Sequence, residues 1–225
     1  TDFYNTDTTN VKAVILFGHI PVPYSGCCEW DHEDHIGAWP ADMYYGVMNE
    51  DIWTDDTADC STGKWSRNWN IPGDGKFDLS YLPSDHMVAL QVGRIDFSNL
   101  PAFPYSESEL LRNYLTKNHE FRYKIIDAKL RGLIQDNLSG AIGFLAAACA
   151  IAAWSDYTAL FNSTYVNAGN YLIDMKNESY IWSFGCGTGK ADGTSCGGVG
   201  TTEEMVVKSP KTVFTSMYGS YLGDW

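Results

Sequence analysis

Val11-Lys12-Ala13-Val14-Ile15-Leu16-Phe17 is an almost wholly apolar run that closes on Gly18, with Pro21 and Pro23 just beyond. A strand with one wet face would alternate apolar and polar residues. A run that is apolar on both faces reads instead as a central strand of a parallel sheet. Further strand-like runs follow at residues 87–95, 128–135, 180–184 and 212–218, with a short one at 164–166. Helical stretches separate them. Residues 107–123 space Leu110, Leu111, Tyr114 and Leu115 helically, with Ser106 as N-cap and Glu109 in the capping-box position. Residues 140–154 form an apolar helix, and a short helix falls near 171–176. Strands alternating with helices predict an α/β fold, a mostly parallel sheet flanked by helices. Ligands of such sheets gather at the carboxyl ends of the strands, which places the segments after Phe17, Phe184 and Tyr218 on one functional edge.

One stretch breaks the alternation. Residues 24–83 are rich in Trp, Asp, Gly and Asn and have no period. A plain loop of that length is improbable, so a long irregular aromatic and acidic insertion after the first strand is expected to be folded. Within it, Asn68-Trp69-Asn70-Ile71-Pro72-Gly73-Asp74-Gly75-Lys76-Phe77-Asp78 sets oxygen side chains around a glycine turn. Hard cations take six to eight oxygens, so Asn70, Asp74 and Asp78 are candidate calcium ligands, with Asp55, Asp56 and Asp59 in reserve; the alternative is an Asp-Gly turn. Asp31-His32-Glu33-Asp34-His35 mixes imidazole and carboxylate, which reads either as a transition-metal site or as a solvated patch. His35 is also placed to bond Asp42.

The chain has 28 acidic against 15 basic residues and a formal charge of −13. That argues against nucleic acid or an anionic membrane as partner, because phosphate binding needs a basic face. The apolar stretch at 140–154 is too short to span a bilayer, which needs about 20 residues. Six cysteines fit no zinc or haem spacing. Cys149 falls in the apolar helix and reads as an inert free thiol. Cys27 or Cys28 with Cys60, and Cys186 with Cys196, are the disulfide candidates, and they point to an oxidising compartment.

Two strand ends carry candidate chemistry. After residues 180–184 comes Gly185-Cys186-Gly187-Thr188-Gly189, where small residues permit close approach of a ligand or another backbone. After residues 212–218 comes Gly219-Ser220-Tyr221-Leu222-Gly223-Asp224-Trp225. Cys186 or Ser220 as a nucleophile needs a base within hydrogen-bond reach, and His19 at the end of the first strand is the candidate.

Together these segments resemble gingipain-type cysteine peptidases, whose caspase-like domain ends one strand in Gly-His-Gly and the next in a Cys followed shortly by Gly-Asp. Here Gly185-Cys186-Gly187 has Cys in place of His, and the segment from Gly219 has Ser220 in place of Cys. Gly18-His19-Ile20-Pro21-Val22-Pro23-Tyr24, Ala41-Asp42-Met43-Tyr44-Tyr45-Gly46, Gly73-Asp74-Gly75-Lys76-Phe77-Asp78 and Gln91-Val92-Gly93-Arg94-Ile95-Asp96 are similar to that family as well.

The resemblance implies a single caspase-like domain over residues 1–225, secreted or at a cell surface, with a structural calcium ion. The sequence stops at Gly223-Asp224-Trp225 straight after a strand with no covering helix, so a longer native chain is expected. In a working dyad, imidazole lowers the thiol pKa and returns the proton to the leaving amine. Cys186 facing Ser220 supplies neither base nor thiolate. The expectation is therefore a non-catalytic domain with a structural or binding role, whose partners are other domains of the same chain or other surface proteins. An active cysteine or serine peptidase with a displaced base is the alternative.

Overall fold

The computed structural model describes residues 1–28, 33–48, 51–142, 144–190 and 195–223. The chain divides into two compact units, Thr1–Ser98 and Asn99–Gly223.

In the first unit a short helix α1 (Asp2–Thr6) precedes β1 (Ala13–Phe17), which pairs in parallel with β2 (Gln91–Ile95), in register from Ala13↔Gln91 to Phe17↔Ile95. β2 is shorter than the run at 87–95, since Val88 makes only an isolated bridge to Val47. Between these strands the described residues form three 3-10 turns, Glu33–His35, Asp42–Gly46 and Ser66–Asn68. A disulfide joins Cys27, not Cys28, to Cys60, with Cα atoms 5.7 Å apart. Tyr44 stacks on Phe77 at 5.0 Å and meets Trp53 edge-on at 5.2 Å. These contacts give an aperiodic segment its own small core, so its order does not rest on regular backbone pairing.

Arg94 knits three sequence motifs of this unit together. Its Nε and Nη2 donate to the two oxygens of Asp42, both at 2.7 Å, and its Nη1 donates to the Ile20 carbonyl at 2.6 Å. A planar guanidinium suits such a bidentate carboxylate contact. Asp42 is therefore taken by an arginine 52 positions away.

The second unit begins with α2 (Glu107–Arg122) and β3 (Gly132–Asp136), followed by α3 (Ser139–Ile142) and α4 (Phe144–Phe161). Next come β4 (Val166–Ala168), α5 (Tyr171–Asn177), β5 (Tyr180–Cys186), α6 (Thr202–Lys208) and β6 (Thr212–Tyr218). The four strands form one sheet in the order β4-β3-β5-β6, with every pair parallel. Neighbouring residues of β3 serve opposite faces, as the strand period requires. Leu133 packs with Tyr171, Leu172 and Met175 of α5, while Ile134 packs with Ala153 and Tyr157 of α4. Phe214 of β6 stacks on Trp182 of β5 and receives Phe121 of α2 edge-on, so α2 lies on the same side as α4.

This is the expected α/β architecture, parallel strands flanked by helices, and it is consistent with a caspase-like fold. Among the described residues no helix is long and apolar enough to cross a membrane.

The α2 cap forms as its sequence dictates. Glu109 N donates to Ser106 Oγ, and Ser106 N donates to Glu109 Oε2 at 2.9 Å. Ser106→Ala is expected to cost about 1 kcal/mol, the usual worth of an N-cap, read as a shift in the denaturant midpoint at unchanged slope. α4 runs to Phe161, past the apolar stretch at 140–154. Its inward stripe of Ala150, Ala153 and Tyr157 continues after the composition turns polar. A second capping box, Thr201 with Glu204, starts α6, a helix whose glycine-rich flank masks its signal in the sequence.

Candidate functional site

The register of the second sheet aligns Asp136 of β3, Cys186 of β5 and Tyr218 of β6 side by side at the carboxyl edge. The chain leaves β3 toward β4 on one flank and leaves β5 toward β6 on the other. The gap between β3 and β5 is thus the switch point where a doubly wound sheet would hold a ligand. Here that point is closed. Asn137 N donates to the Cys186 carbonyl at 2.8 Å, and Asn137 Nδ2 donates to the Gly198 carbonyl at 2.9 Å.

The glycines of this edge serve backbone packing. Gly187 N donates to the Tyr218 carbonyl at 3.1 Å. A Cβ on Gly187 would lie 2.7 Å from Gly197 O, and one on Gly189 would overlap Ser220 O at 1.7 Å. The loops after β5 and β6 therefore lie directly against each other. Their small residues admit a neighbouring strand end, which was one of the two readings of the motif.

Cys186 is fully buried, among Leu138, Ala150 and Phe184. Its thiol donates to Asp136 Oδ1 at 3.3 Å. Burial pushes the thiol up, and the carboxylate beside it adds to the effect, to a pKa of about 12. Cys186 is a protonated core thiol. Burial alone would raise the Asp136 carboxyl too, but donors from Ser139, Leu138 and Cys186 outweigh it and hold the group at about 2. Cys186 and Cys196 are both free, so the expected disulfide between them is not formed; Cys28 and Cys149 are free as well. Cys196 lies in the turn before α6, with its sulfur 3.8 Å from Thr202 Oγ1. The Cys149 thiol near the Tyr218 phenol raises the Tyr218 pKa.

Ser220 follows β6 and is exposed. Among the described residues its hydroxyl meets no base. The one histidine in the sequence of this unit is His119 on α2, whose ring packs on Tyr123 at 4.3 Å. His19 belongs to the first unit. Its Nδ1 lies 3.1 Å from Asp96 Oδ2 and 2.9 Å from Ser98 Oγ, and its side chain is 67% exposed. That arrangement orients an exposed ring through Nδ1, a pairing that sequence spacing gave no means of finding.

The side-chain oxygens of Asp55, Asp74 and Asp78 already have partners. Asp78 accepts from Thr54 Oγ1 and from the Asp56, Thr57 and Ala58 amides, which hold its carboxyl well below the usual range against the effect of burial. Asp55 accepts from Gly73 N and Gly75 N, and Asp74 from Lys76 N and Ile71 N. Asn70 is fully buried; its Nδ2 donates to the Ser25 and Phe77 carbonyls at 3.2 and 2.9 Å, and its Oδ1 has no hydrogen-bond partner among the described residues. Among the described residues no group of three or more His, Cys, Asp or Glu side chains is placed to hold a metal ion. Asp31 and His32 of the mixed acidic cluster lie outside the described residues. The rest of that cluster forms the Glu33–His35 turn, where Asp34 pairs with Lys64.

No protein-family model, no curated protein and no solved structure matches this chain.

Proposed function

We propose that this chain is a non-catalytic, gingipain-like α/β domain of a secreted or cell-surface protein, with a structural or binding role toward other domains or surface proteins. The observation that carries the reading is Cys186. The position where the resembled peptidases need an imidazole base holds a neutral, fully buried thiol facing a carboxylate. Such a group neither accepts a proton from a nucleophile at neutral pH nor attacks a substrate. The Cys27–Cys60 bridge supports an oxidising compartment.

The test is hydrolysis of casein and of a panel of fluorogenic peptides. Turnover is expected to stay at the buffer rate, unchanged by Cys186→Ala or Ser220→Ala. A second reading, an active hydrolase with a displaced base, draws on the orientation of His19 by Asp96. Hydrolysis abolished by both His19→Ala and Ser220→Ala would establish it and end the non-catalytic reading.

A further inference from the structure

α2 presents one stripe toward β6, composed of Tyr114, Lys117 and Phe121 at helical spacing. Two members are aromatic and one is a lysine. Phe121 meets Phe214 edge-on with ring centroids 5.3 Å apart. Beside this contact a cleft of about 320 Å³ is walled by Tyr114, Phe121, Val213 and Phe214, and its charged lining is Lys117 and Arg122. That volume sits at the small end of the range for ligand pockets.

Neither cation is neutralised from within. Lys117 Nζ donates to the Thr212 carbonyl at 2.8 Å, and Arg122 Nε donates to Asn118 Oδ1 at 2.7 Å. Among the described residues neither has a carboxylate partner. Desolvation lowers the Lys117 pKa, as befits a charge without a counterion. A larger apolar cleft of this unit, of about 880 Å³, behaves differently. It is lined by Leu130, Leu160, Phe161 and Trp182, and its cations, Lys129 and Arg131, are both answered by Glu178. In a chain of formal charge −13, two unpaired cations over an aromatic floor constitute a specific electrostatic demand.

We propose that the cleft between α2 and β6 binds an amphipathic monocarboxylate, an acyl chain or aromatic ring lying on Phe121 and Phe214 with its carboxylate at Lys117 and Arg122. The site is independent of the proposed loss of peptidase chemistry. A neutral amphiphile would fill the apolar floor and leave the cations unpaired. A cationic one would be repelled.

The test is displacement of the fluorescent anion anilinonaphthalene sulfonate from the full chain by decanoate, decanol and decyltrimethylammonium. Decanoate is expected to displace it at a concentration at least about tenfold lower than decanol, and the ammonium compound to fail. Lys117→Met, which keeps the stem and removes the charge, should weaken decanoate about tenfold and leave decanol unchanged. Arg122→Gln, at an exposed position, gives the same readout should the first variant fold poorly. Decanol as effective as decanoate, an unchanged response in both variants, or no displacement by decanoate up to about 1 mM would each overturn the proposal.

Discussion

Asp136→Ala is expected to lower the stability of the second unit by about 3 kcal/mol at pH 7. The carboxylate closes the turn from β3 into α3. It accepts from Leu138 N at 2.9 Å, Ser139 N at 3.0 Å, Ser139 Oγ, and Cys186 Sγ at 3.3 Å. Removing it strands two amides and a hydroxyl at a partly buried turn, and deprives a fully buried thiol of its acceptor. Orphaned donors of this kind cost about 1 to 3 kcal/mol each when water cannot reach them, and less where it can.

The same group sets an acid dependence. Its folded pKa of about 2 lies below the ordinary 3.8. The folded state therefore binds the proton more weakly than the unfolded chain. The stabilisation is complete above pH 4 and is lost as pH falls from about 4 toward 2. With screening at a partly exposed site, this portion is about 1 to 2 kcal/mol. Denaturation of wild type and Asp136→Ala at pH 7 and at pH 2.5 should show the gap between them shrink by that amount. A gap that stays constant would mean that the carboxylate does not enter the turn as an ion.

How much of this was legible in advance depended on whether the signal was local. The end of β6 could be read because its run stops at Gly219, and the capping box of α2 because its two partners lie three residues apart; β5 instead runs on through Gly185 to Cys186, since a glycine in the ladder does not interrupt its pairing. The partner of Cys60 could not be chosen between Cys27 and Cys28. Adjacent residues differ in direction rather than spacing, and only the folded insertion turns Cys27 toward Cys60. Asn70 reads as an oxygen ligand in a sequence of Asn, Asp and Gly; its Nδ2 holds two carbonyls far away in sequence or across a turn, while its buried Oδ1 has no partner among the described residues. Composition does not tell which end of an amide meets the backbone. Arg94 with Asp42, and His19 with Asp96, join residues 52 and 77 positions apart. No local period announces such pairs.

The fate of Cys186 was likewise hidden. Its position at a strand end gives the edge of the sheet but not the side toward which the sulfur points, and that direction decides the last expected result. Cys186→His is expected to cost about 4 kcal/mol or prevent the second unit from folding, while Cys186→Ala costs only about 1 to 2. The thiol is fully buried against Leu138, Ala150 and Phe184. An imidazole is much larger, and the strand end has no freedom to retreat. Gly187 is bonded to Tyr218 and pressed against Gly197 and Gly198, and Asn137 N holds the Cys186 carbonyl. Asp136 would offer the new ring one hydrogen bond, which offsets part of the strain but does not make room.

The asymmetry between His and Ala separates volume from loss of the thiol. It also bears on mechanism, because the double variant Cys186→His with Ser220→Cys rewrites the resembled dyad residue for residue. That variant is expected to show background hydrolysis, since an imidazole forced into the core does not reach a thiol on an exposed loop. Chemical denaturation and the peptide assay together decide the matter. A Cys186→His chain of near-native stability, whose double variant cleaves peptides, would show that this strand end is a vacated active site rather than a packed one.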